Sequence, residues 1–235
     1  MSRHRLVLFA IVLATLAVAA PASAQRPYYG GDHAIRFWIG LFEPDGDSQY
    51  WNDSFDAFTG ETSDFADTTV GGDFKLGLTG RTSLLLGGSY YEGRADQSYR
   101  DFVDRFGDDI THRTTLEIAS ATAAFVVDLT GRRAVIVPYV GVGGGFYAWR
   151  LEEAGDFIDF IPEEPETFST RFSDDGNTLG WFWLAGLEVP IGPRFSVFAE
   201  GRWQRLDDDL GGDFAGSGNL DLSGTSIVGG ASWRF

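Results

Sequence analysis

Apolar and polar residues alternate with a period of two along most of this chain, the pattern of half-buried β-strands. In 34–42, Ile35, Phe37, Ile39 and Leu41 share one face and Arg36, Trp38 and Gly40 the other. A second strand is expected over 70–78, with Val70, Phe74, Leu76 and Leu78 on the apolar face and Asp73 and Lys75 opposite. The third spans 83–93, with Leu84, Leu86 and Tyr90 outward. The fourth spans 114–129, with Leu116, Ile118, Ala124 and Val126 outward and Glu117 inward. The fifth covers 135–151; Pro138 sits near its start, and Gly141, Gly143, Gly144 and Gly145 allow the bends that a small barrel needs. The sixth, 178–189, turns Leu179, Trp181, Trp183, Ala185 and Leu187 outward and Glu188 inward. The seventh, 195–206, has Phe195, Val197, Ala199 and Trp203 outward and Glu200, Arg202 and Gln204 inward. The last, 222–235, closes on Ile227, Gly229, Ala231, Trp233 and Phe235, with Arg234 on the other face.

The connections are as regular as the strands. Thr79-Gly80-Arg81-Thr82, Thr130-Gly131-Arg132-Arg133 and Pro190-Ile191-Gly192-Pro193 are short turns. Segments 43–68, 94–113, 152–177 and 207–221 are long loops. An even number of strands with alternating short and long connections predicts an all-β fold, an eight-stranded antiparallel up-and-down β-barrel.

Alternation does not say which face is inside. A soluble barrel or sandwich buries its apolar face, whereas a transmembrane barrel turns it to lipid. The N-terminus separates the two. Arg3, His4 and Arg5 precede an apolar run from Leu6 to Ala20, and Ala22-Ser23-Ala24 supplies a small-residue cleavage site. This reads as a secretory signal peptide over 1–24, leaving 25–235 as one barrel domain. The apolar run is shorter than the roughly 20 residues of a membrane-spanning helix. Phe37, Trp149, Trp181, Trp203, Trp233 and Phe235 fall towards strand ends, as interfacial girdles do. The expectation is therefore a transmembrane barrel in an exported protein.

The final strand, ending Trp233-Arg234-Phe235, resembles the insertion signature of Gram-negative outer-membrane barrels. Gly40-Leu41-Phe42-Glu43-Pro44-Asp45-Gly46-Asp47-Ser48 and Val137-Pro138-Tyr139-Val140-Gly141-Val142-Gly143 resemble the first strand and a Pro-Tyr-Gly-rich strand of the small outer-membrane β-barrel superfamily of OmpA, OmpX and OmpW types. The resemblance implies residence in the cell outer membrane among its lipid and lipopolysaccharide, and assembly machinery that reads Trp233 and Phe235. It does not specify a function.

Composition narrows the chemistry. With 34 Asp and Glu against 18 Lys and Arg, the chain has a formal net charge of -16, which excludes a nucleic-acid partner. There is no Cys, so neither disulfides nor thiolate metal sites arise. By the assigned phases, Arg36, Lys75, Arg202 and Arg234 meet Asp73, Glu117, Glu188 and Glu200 in the lumen. An eight-stranded barrel is just wide enough for side chains to fill, and buried charges must pair. A plugged, ion-paired interior is one reading; a narrow conduction path is the other.

Most of the acid lies in the loops. Asp45, Asp47, Asp207, Asp208 and Asp209 are weak candidates for a divalent cation, which prefers oxygen ligands, but they match no EF-hand spacing. Solvated acidic loops are the plainer reading. Apolar loop residues, among them Tyr50, Trp51, Phe55, Phe58, Phe65, Phe157, Ile158, Phe160, Ile161, Phe168 and Phe172, form either a cap over the barrel or the entry for an apolar ligand. After the signal segment the only His are His33 and His112. Neither has a recognisable nucleophile nearby in sequence, so no catalytic residue, cofactor or metal centre is assigned.

Overall fold

The computed structural model describes residues 33–130, 134–159 and 166–235. The expected signal segment and turn residues 131–133 fall outside them, as do Phe160 and Ile161. The strands are β1 (His33–Pro44), β2 (Asp67–Gly77), β3 (Thr82–Val103), β4 (Asp109–Asp128), β5 (Val137–Asp159), β6 (Glu166–Pro190), β7 (Phe195–Arg205), β8 (Asp207–Asp209), β9 (Asn219–Asp221) and β10 (Gly224–Arg234). Eight of them close into an antiparallel ring, in the order β1-β10-β7-β6-β5-β4-β3-β2. The seam pairs β1 with β10 from Ala34↔Arg234 to Pro44↔Gly224. At the turn end the Phe235 amide adds a bond to the His33 carbonyl at 3.1 Å, and the Phe235 ring lies 5.9 Å from that of Phe74.

The alternation holds for β1, β2, β3, β6, β7 and β10. Phe37, Ile39, Leu86, Leu179, Trp181, Trp183 and Trp233 stand exposed on the outer wall, while Arg36, Trp38, Lys75, Glu188 and Glu200 are buried inside. Trp183 and Trp203 stack at 3.8 Å on that outer surface.

Strand β4 has the opposite phase to the one expected. Leu116, Ile118, Ala124 and Val126 are buried inside, and Glu117 is on the outer face. The cause is at the two ends of the strand. Asp128 must point inward to reach Lys75, and Leu116 and Ile118 complete an apolar core in the upper lumen. Trp149 is likewise not in a girdle: it points inward, and its Nε1 donates to Asp208 Oδ2 at 2.8 Å.

Two expected loops are strand instead. Most of 94–113 extends β3 and β4, joined near Val103 and Asp109, and most of 152–177 extends β5 and β6. Strands β3 to β6 run 20 to 25 residues against 11 or 12 for the other four barrel strands. One side of the wall therefore projects well past the rest. The inward glycines of β5 do more than permit bending. A Cβ on Gly143 would sit 2.7 Å from the Phe182 ring, so its absence makes room for a large side chain in a narrow lumen.

Candidate functional site: an occluded lumen

The lower lumen holds two layers of paired charge. In the first, Arg36 Nε lies 3.2 Å from Asp73 Oδ1 and Arg36 Nη2 donates to Glu200 Oε2 at 2.9 Å. Arg202 bridges Glu200 and Asp73, and Tyr139 donates to Glu200 Oε2 at 2.8 Å. The Arg36 guanidinium also stacks over the Phe198 ring at 4.0 Å, and that of Arg202 over Trp38 at 4.6 Å. Nearer the turn end, Lys75 Nζ sits 3.2 Å from Glu188 Oε2 and 3.6 Å from Asp128 Oδ1. Arg234 and Ser196 both bind Glu188 Oε1.

Of the expected lumen residues, Arg36, Asp73, Lys75, Glu188, Glu200, Arg202 and Arg234 are thus brought together. Glu117 is not; Asp128 takes its place, so four cations still face four anions. The missed residues had a signal. Asp128 shares its parity along β4 with Leu116, Ile118, Ala124 and Val126 and opposes Glu117, so taking Asp128 rather than Glu117 as the inward acid would have found it. Tyr139 and Ser196 carry no such mark, since their role depends on strands that pair across the barrel.

Above the charges lies a cavity of about 30 Å³, between Trp38, Tyr147, Phe182 and Arg202. That is room for about two waters. Higher still the interior is apolar. Helix α1 (Gln49–Ala57) from the first loop drops Tyr50 and Trp51 into the mouth, against Phe65, Leu116, Leu151, Phe214 and Leu222. Trp51 is fully buried and donates its Nε1 proton to the Asp221 carbonyl at 3.0 Å. The apolar loop residues therefore form a cap. Phe55 and Phe172 pack against it from the side, and Phe168 stays exposed.

Two titratable groups tie the cap to the projecting wall, beyond the apolar outer band. Tyr50 donates to Glu153 Oε1 at 2.6 Å; burial raises the Glu153 carboxyl above its ordinary range, and raises the Tyr50 phenol further, with Glu153 adding to it. His112 is enclosed by the Phe58 ring at 4.3 Å and the Phe157 ring at 5.1 Å. Neither of its nitrogens has a hydrogen-bond partner among the described residues, and burial pushes its pKa down to about 4. His33 stacks against Phe74 at the turn end.

The candidate cation ligands are dispersed. Asp45 pairs with Arg205 at 2.6 Å, Asp208 accepts from Trp149, and Asp207 and Asp209 lie on the short β8–β9 hairpin. Among the described residues no three His, Asp or Glu side chains gather as a metal site would require.

A closed ring of eight strands, aromatic and aliphatic outside and ion-paired inside, defines the class: an outer-membrane-type β-barrel. The chain belongs to the outer membrane protein beta-barrel domain family, whose model matches residues 8–235. That membership points to the outer membrane as its location. No curated protein is similar enough in sequence to count as a match. Among solved structures it is similar to Neisserial surface protein A, at 8% identity and a TM-score of 0.52 over 88% of this chain and 99% of that one. It is also similar to the outer membrane protein OprG from Pseudomonas aeruginosa, at 10% identity and a TM-score of 0.55 over 88% and 97% of the two chains. Likeness at these identities concerns the fold.

Proposed function

We propose that this protein is a closed, non-catalytic barrel that acts through its projecting loop-end structure at the cell surface, embedded among outer-membrane lipid and lipopolysaccharide. In this reading export removes residues 1–24 and the barrel-assembly machinery recognises Trp233 and Phe235. Divalent cations reach its acidic loops as screening counter-ions. The observation that carries the reading is the double occlusion of the lumen: paired charges below, the cap of α1 above, and between them space for about two waters.

That small cavity is also what favours the competing reading, a narrow conduit for small or apolar solutes whose plugs rearrange. Planar-bilayer recording separates the two. The closed barrel should show no steady unitary current. A large, lasting conductance in the wild type would overturn the closed reading and establish the conduit.

A further inference from the structure

The inverted phase of β4 has a consequence on the outer wall. Outward residues are apolar up to Tyr90 on β3, Ala119 on β4, Ala148 on β5 and Leu179 on β6. The next outward residues are Glu92, Glu117, Arg150 and Asn177. At this height, where the hydrocarbon band gives way to headgroups, the four long strands carry a groove of about 530 Å³. Its floor is Thr115 and Ala154, whose side chains are short. Register sets long charged side chains around them: Thr115 pairs with Arg94 and Glu152, and Ala154 pairs with Arg113 and Arg171. Arg150 and Glu117 close the lower rim.

Four guanidinium groups and three carboxylates line the groove, in a chain whose formal net charge is -16. Their mutual pairs, Arg94 with Glu92, Arg150 and Arg171 with Glu152 at 3.4 and 3.5 Å, leave each of these three arginine side chains more than half exposed. A guanidinium has five donors, so most remain to be used. Nothing in the closed lumen or the cap needs these residues.

We propose that this groove binds the phosphorylated saccharide headgroup of an outer-leaflet lipid, with Arg94, Arg150 and Arg171 holding the phosphate. Arginine forks match phosphate oxygens in pairs, and basic residues just beyond an apolar band are where anionic headgroups are recognised. The volume falls in the range of small-ligand sites, roughly 300–1,000 Å³. Glu92 and Glu152 orient the guanidinium groups through their ion pairs. The inference rests on the outer-membrane placement given above but not on the closed lumen, so a conducting barrel would leave it intact.

The test is native mass spectrometry of the full barrel released from nanodiscs containing lipid A, dephosphorylated lipid A or phosphatidylcholine alone. Wild type should retain lipid A and shed the dephosphorylated form. Arg94→Gln/Arg150→Gln/Arg171→Gln should retain it at least tenfold less, while Arg205→Gln, on the neighbouring β7 and outside the groove lining, should match wild type. Heat-modifiable migration checks that each variant is folded; if the triple variant is not, Arg150→Gln with Arg171→Gln is read in its place. Equal retention by wild type and the folded variant would overturn the proposal. So would equal retention of dephosphorylated lipid, or displacement of lipid A by millimolar inorganic phosphate, which would mark a general anion site. Arginine-dependent binding of a soluble sulfated polysaccharide in phosphatidylcholine discs, without lipid A retention, would assign the groove to an extracellular polyanion and also overturn it.

Discussion

At the scale of single residues, position relative to the wall decides what a charge does. Glu200 and Glu117 are both glutamates in mid-barrel strands. Glu200 is buried and held by Arg36, Arg202 and Tyr139, whereas Glu117 rims an outer groove. Glu200→Gln should cost about 3–5 kcal/mol, the penalty of stranding buried cations. Glu117→Gln should change stability by no more than about 0.5 kcal/mol, as for an ordinary surface site. Urea midpoints in one lipid would check both, and equal losses would mean that the β4 phase is wrong.

His112 is the second residue whose surroundings set its behaviour. Its folded pKa of about 4 lies below the ordinary 6.5. Between those values the unfolded cap binds the proton and the folded one does not, so stability falls as pH drops through that window. Glu153 acts in the other direction: its raised folded pKa favours the folded cap on acidification. His112→Phe, which keeps a ring between Phe58 and Phe157, should remove the loss. Hydrogen exchange of α1, corrected for intrinsic rates, should show protection declining from pH 7 to 4.5 in wild type and not in the variant. The same decline in both would exonerate His112.

At the scale of elements, α1 is a plug made from a loop. Its isolated helical strength is small for its 9 residues; it holds because Tyr50 and Trp51 enter an apolar mouth. Trp51→Ala should remove about 3–5 kcal/mol from the cap and expose α1 to protease. It should leave bilayer conductance unchanged, because the charge layers below still close the lumen. A channel opened by this variant alone would show that the cap, rather than the ion pairs, is the seal. The sequence made the helix hard to see. Gln49–Ala57 is only 9 residues long, and its N-cap Ser48 makes no side-chain capping bond. What the sequence did offer was a concentration of aromatics too costly to leave in water, and that was enough to expect a cap.

At the scale of the whole molecule, closure of the ring joins the first and last strands of the barrel. The Phe235 ring lies beside that of Phe74 and its amide bonds back to the His33 carbonyl, so it extends the β1–β10 seam, and it is also the residue proposed above to be read during assembly. Deleting Phe235 should lower the heat-modifiable folded fraction on cold gels. Unchanged folding would show that neither seam nor signature depends on it.

The sequence by itself determined the strand count, the antiparallel order and the outward face of six of the eight barrel strands. A period of two makes register unambiguous wherever one face is apolar and the other polar. It also determined seven of the eight lumen charges, because a charged residue flanked by outward apolar neighbours has only the interior left. Only the tertiary structure decided the rest. Strand β4 reads as apolar on both faces, since its inner half meets a hydrophobic core supplied by a distant loop, and no local pattern encodes that. Likewise 94–113 and 152–177 look like loops because their strands project past the membrane, where both faces carry polar residues and alternation fades. The outer groove follows from these same two facts. Its small floor and charged rim come from four strands, and only their register sets Thr115 beside Arg94 and Ala154 beside Arg171.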